Sequence, residues 1–134
     1  MPSRAGDWFR QAERDLEQAV ASQTDGRHEW ACFAAQQAAE KAVKALHLHL
    51  GEDAWGHTVA MLLRLLPADV QPPSDLIDRA QALDLFYIPA RYPDSYPEGA
   101  PFEHFGLLQS KEAVQYAGAI VDFVRAHLAE PANG

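Results

Sequence analysis

Between Trp30 and Leu48 the chain sets Gln37, Glu40, Lys41 and Lys44 among large apolar and small residues. At about 100° per residue in a helix, these four fall within a sector of roughly 100° that also holds Trp30, Phe33 and Leu48. Polar groups in such company are at least partly buried, where they must be paired or used. Two lysines can bind phosphate or a polar substrate, with Glu40 and Gln37 orienting them. The competing reading is an exposed face that carries only a Glu40 to Lys44 ion pair one turn apart, worth roughly a few tenths of a kcal/mol.

A second candidate stands in Tyr87-Ile88-Pro89-Ala90-Arg91-Tyr92-Pro93-Asp94, where two prolines fix the backbone on either side of Arg91. A planar guanidinium presented in one direction suits an anion or a phosphate. It equally suits a structural clamp, pairing with Asp94 or Glu40 to hold the loop down. His57 follows Gly56 at a helix start, where an imidazole can do acid-base work or simply bond backbone or solvent. His47 and His49 stand two apart and face away from each other on a helix, and no two histidines are spaced i,i+4. His28, His104 and His127 are isolated, so with a single cysteine no metal-ligand cluster and no cofactor is predicted. Neither a Gly-rich phosphate loop nor a serine nucleophile elbow occurs. Cys32, between Ala31 and Phe33, reads as a small core residue.

The elements that must position these groups are helices. Trp8, Ala12, Leu16, Ala19 and Val20 predict an amphipathic helix over residues 7–23, broken at Thr24-Asp25-Gly26. A second helix is predicted from Arg27 to Leu50, stopped by Gly51, and spans roughly 35 Å. Alanines surround almost its whole circumference, so it is the candidate central helix. A short helix over 59–66 follows, with Thr58 as its expected N-cap, then one over 74–87 with Ser74 as cap. Four prolines and two glycines between Ile88 and Leu108 predict a long irregular loop, and its Tyr92, Tyr96, Phe102 and Phe105 predict that it is packed. The last helix is expected from Ser110 to Ala129. The fold class is therefore all-α: an antiparallel up-and-down helical bundle of about five helices, with a long Pro-rich loop before the last one.

The 134 residues suit one domain, 1–134, whose 48% hydrophobic content can build a core without metal or disulfide. A net charge of -8 argues against a general nucleic-acid coat protein, yet leaves room for a local basic pocket. Asp7, Arg10, Glu13 and Arg14 stand where a signal peptide would be apolar, and no segment has the length of a membrane span. A cytoplasmic protein without membrane contacts is expected. The small residues circling the second helix call for neighbours on all sides, which predicts a homodimer.

Several pieces together resemble a known family: Trp8 and Asp15-Leu16, the run Gln36-Gln37-Ala38-Ala39-Glu40-Lys41-Ala42-Val43-Lys44-Ala45-Leu46, Gly56-His57-Thr58 with Leu62-Leu63, Leu83-Asp84 through Tyr87, and Ala90-Arg91-Tyr92-Pro93-Asp94. Their order resembles the HEPN domain of higher eukaryotes and prokaryotes over nearly the whole chain, in particular the small prokaryotic branch paired with minimal nucleotidyltransferases. The resemblance implies a bundle of about five helices, usually homodimeric, acting as nucleotide- or substrate-binding partner of such an enzyme in a two-component, toxin-antitoxin-like module. Carried onto this chain, the binding residues are Gln37, Glu40, Lys41, Lys44, Tyr87, Arg91, Tyr92 and Asp94. A second branch of the family consists of metal-independent endoribonucleases, whose signature is an Arg followed by a His after four to six residues. Here the next histidine after Arg91 is His104, with twelve residues between. A ribonuclease would need the fold to bring His104 or His57 against Arg91. The third alternative is a purely structural dimerisation module.

Overall fold

In the computed structural model, which describes residues 3–130, six α-helices carry the fold: α1 Ala5–Thr24, α2 His28–His49, α3 Val59–Arg64, α4 Ser74–Asp84, α5 Pro101–His104 and α6 Leu107–Leu128. The residues described contain no strand. The extremities of the expected 1–134 domain, residues 1–2 and 131–134, lie outside the described part. No helix of this part is long and apolar enough to cross a membrane.

Helix α2 is the axis of the bundle and touches every other helix. Its alanines 31, 35, 38, 39, 42 and 45 have no exposed surface. Side chains this small let α1 and α6 approach closely, while Val43 and Leu46 fill the space against Leu63, Leu83, Ile120 and Val124. The tight turn after α1, with Gly26 at φ 76°, forces α1 and α2 into an antiparallel pair. Gly51 ends α2 at φ 80°, the left-handed conformation that glycine adopts without a Cβ clash.

Four expected caps or boundaries differ from the structure. Helix α3 is capped from a distance: Thr58 makes no side-chain cap, and the Asp84 carboxylate accepts instead from the Val59 and Ala60 N–H groups at 2.7 and 3.0 Å. Ser74 likewise makes no cap and occupies the first helical position after Pro73. Helix α4 stops at Asp84 rather than at Tyr87, because Pro89 lacks an N–H and disfavours helix at Ile88. Beyond it, residues 85–92 coil through short turns such as Arg91 N–H to Ile88 carbonyl at 3.0 Å. Helix α6 begins before Ser110, where the Gln109 amide oxygen accepts from the Gly106 N–H at 2.8 Å. The Pro-rich segment is packed only in part: Pro101 is buried and Phe105 meets Phe86 with centroids 5.6 Å apart, whereas Tyr92 and Phe102 are exposed, so its aromatics do not all turn inward as expected. It contains the single-turn α5, opened by Pro101 and held by Ala100 N–H to the Glu103 carboxylate at 2.9 Å.

Candidate functional site

The polar stripe of α2 is partly to fully buried, and it is paired. Gln36 has no exposed surface: its Nε2 donates to the His57 carbonyl at 2.8 Å and its Oε1 accepts from Gln37 Nε2 at 2.8 Å. Glu40, 4% exposed, accepts from Lys44 Nζ at 3.1 Å and stands 3.3 Å from His57 Nδ1 through both carboxylate oxygens. The i,i+4 pair anticipated on an exposed face therefore lies inside the protein. Lys41 Nζ donates to Asp15 on α1 at 2.6 Å, and Lys44 Nζ lies 5.7 Å from the Trp8 ring centroid. Each lysine of the stripe thus has a carboxylate against it.

Arg91 is different. Neither Asp94 nor Glu40 pairs with it, so the structural-clamp expectation fails: Glu40 is committed to Lys44 and His57, and Asp94 is exposed on the Pro93–Ser95 turn. The Arg91 Nε donates to the Tyr87 carbonyl at 2.8 Å. Its guanidinium carbon sits 4.5 Å from the Tyr87 ring centroid, 4.6 Å from Phe33 and 5.0 Å from Tyr92. Three negative ring faces hold the cation in place, and among the described residues neither Nη group meets an acceptor.

Tyr87 joins the two halves of the site. Its ring stacks on His57, with centroids 5.0 Å apart and planes 16° from parallel, and leans on Phe33 at 6.2 Å. Glu40, His57, Tyr87 and Arg91 therefore form one continuous assembly drawn from α2, the α2–α3 loop and the turns after α4. His104 stays apart from it. Its ring stacks on Tyr96 at 3.9 Å and its Nε2–H donates to the Glu98 carbonyl at 2.8 Å, which ties it to its own loop. Of the two candidate histidines, the fold brings His57 and not His104 to Arg91's aromatic neighbours.

Beside this assembly a cleft of about 420 Å³ runs between α1 and α2, lined by Asp15, Gln18, Trp30, Phe33, Gln37 and Lys41 among others. Phe33 belongs to both, since its other neighbour is the Arg91 guanidinium. Trp30 and Phe33 are perpendicular, with centroids 6.3 Å apart. Sequence reasoning placed these two rings on the right sector of α2 but did not count them, Gln18 or Asp15 as site residues. The available signal was their three-residue spacing, 15 to 18 and 30 to 33, which lines up one face of each helix.

The family model of the HEPN domain matches residues 5–127. The chain belongs to the HEPN domain family. Solved structures agree. TT1696 from Thermus thermophilus is 48% identical with a TM-score of 0.92, over 94% of this chain and 99% of that one. An archaeal HEPN homologue, ST0689, is 41% identical with a TM-score of 0.80, over 96% and 99%. A HEPN domain protein of Thermotoga maritima, tm0613, is 35% identical with a TM-score of 0.75, over 92% and 98%. No functionally curated protein matches the chain. In this HEPN domain the buried Gln36 and Glu40 of α2 hold His57, whose ring stacks on Tyr87.

Proposed function

We propose that this HEPN domain is a homodimeric, nucleotide-binding partner of a minimal nucleotidyltransferase in a two-component, toxin-antitoxin-like module. The observation that carries the reading is Arg91: a partly buried guanidinium held on three rings with no carboxylate against it. Such a group is preorganised for a phosphate, because its orientation is fixed before the ligand arrives. Lys41 and Lys44, each neutralised by a neighbouring carboxylate, contribute less net charge. Glu40 holds His57 against Tyr87, and Tyr87 and Tyr92 flank the guanidinium. For the dimer, exposed Leu85, Phe102, Leu107 and Leu108 supply apolar surface near the Pro-rich segment. The partnership is tested by co-expressing the tagged chain with a minimal nucleotidyltransferase encoded beside it. Co-purification as a stoichiometric complex is expected, and a tagged chain that elutes alone overturns the partnership.

One observation favours a second reading. Because His57 and Arg91 both pack on Tyr87, with Glu40 behind the imidazole, the pair has the types of side chain that a metal-independent ribonuclease needs to deprotonate a 2′-hydroxyl and neutralise a phosphate. Incubation with RNA in chelator separates the two. Intact RNA supports the partner reading. Cleavage abolished by Arg91→Ala and by His57→Ala but retained in His104→Ala supports the ribonuclease.

A further inference from the structure

The cleft between α1 and α2 has a corner of two perpendicular rings and two amides with uncommitted oxygens, and this combination is selective. Trp30 is 48% exposed, and its edge-to-face arrangement with Phe33 at 78° lets a planar ligand lie on one ring with its edge against the other. On the α1 wall, Gln18 Nε2 donates to Ser22 Oγ at 2.9 Å. On the α2 wall, Gln37 Nε2 donates to Gln36 Oε1 at 2.8 Å. Both amides have thus turned their nitrogens to the protein, and among the described residues neither Oε1 receives a donor. Asp15 accepts from Gln11 Nε2 at 2.8 Å and from Lys41 Nζ at 2.6 Å, one donor on each oxygen, and so keeps acceptor capacity on the same wall. These acceptors together call for a ligand edge that donates.

We infer that this cleft is the base subsite of the nucleotide site, and that it takes a purine bearing an exocyclic amino group. The inference rests on the nucleotide-binding reading given above and adds the base class to it. The purine stacks in the Trp30–Phe33 corner, its amino group donates to the Gln18 and Gln37 oxygens, and its phosphate reaches Arg91 across the shared Phe33 ring. Hypoxanthine differs from guanine only in lacking the amino group, so it leaves an acceptor unpaired.

Calorimetric titration with AMP, GMP and IMP tests this on the full chain and on Trp30→Ala, Gln37→Leu and Arg91→Ala, with helical content checked by circular dichroism. AMP or GMP should bind about tenfold tighter than IMP. Trp30→Ala should weaken that binding about tenfold or more, the scale of one base stack, and Gln37→Leu should narrow the preference over IMP. Binding that Arg91→Ala weakens but Trp30→Ala leaves within about twofold overturns the base subsite and leaves the Arg91 reading standing. IMP binding as tightly as AMP and GMP overturns the amino-group selectivity. If the folded wild-type chain binds none of the three, the nucleotide reading itself falls.

Discussion

Glu40 ties two side chains of the assembly to α2. Its carboxylate is the acceptor for Lys44 and faces the His57 imidazole that stacks on Tyr87. Glu40→Ala would leave a nearly buried ammonium without its partner, and a loss of about 3 kcal/mol in urea unfolding is expected; Glu40→Gln keeps an acceptor and should cost about 1 kcal/mol. A Glu40→Gln protein as stable as wild type, with the loss confined to Glu40→Ala, would show that the charge pair contributes nothing beyond packing. Cys32 makes a second prediction at this scale. It is fully buried, and burial together with the nearby Glu29 charge pushes its thiol up to about 12. At pH 8 a thiol reagent should therefore label it only as fast as the chain unfolds; rapid labelling of folded protein would contradict the core assignment. The at least partial burial of Gln37, Glu40, Lys41 and Lys44 was legible because helical geometry places them among aromatic and aliphatic neighbours. Arg91's partners were not legible. Sequence offered two carboxylates as candidates, and only the fold shows that Glu40 is already satisfied while three rings converge on the guanidinium.

At the scale of elements, Asp84 links three helices. Standing at the end of α4, it caps α3, and α3 and α4 both pack on α2. Asp84→Ala removes the acceptor of two N–H groups at a helix start and should cost about 1–2 kcal/mol, read as a shifted urea midpoint. Burial raises the Asp84 carboxyl above its ordinary 3.8, against the opposing pull of the Ala60 and Val59 N–H donors. The folded state therefore holds this proton more tightly than the unfolded chain does. Its contribution is fully present below the unfolded value and is lost as pH rises toward the folded one. Wild type should accordingly lose stability relative to Asp84→Asn on going from about pH 3.5 to about pH 6; a constant difference across that window would contradict the assignment. The long helices were legible from their apolar period. The cap on α3 was not, because its acceptor lies 25 residues downstream of Val59, and local capping rules look only at Thr58. Helix α5 escaped notice for a related reason: a single turn has no periodicity to detect, and only Pro101 with Glu103 marks it.

For the whole molecule, the burial of α2 changes the argument for a dimer. Its alanines are covered by the helices of one protomer, so they do not require a second. The case passes to the exposed leucines and Phe102 around the Pro-rich segment. Light scattering at micromolar concentration should give twice the chain mass, and Leu108→Asp, at a side chain 76% exposed, should halve it. A monomeric wild type would remove the dimer. The overall charge of -8 matters at this scale too. An acidic surface discourages indiscriminate RNA binding and leaves a local cation on aromatic rings as the feature that attracts phosphate.

The most direct test of the central claim, that Arg91 is held ready for a phosphate, is a comparison of ATP with adenosine in calorimetric titrations of wild type and Arg91→Ala. Wild type should bind ATP at least about tenfold more tightly than adenosine, and the substitution should abolish that preference while leaving the helical spectrum unchanged. Equal ATP affinity in the two proteins would contradict the account.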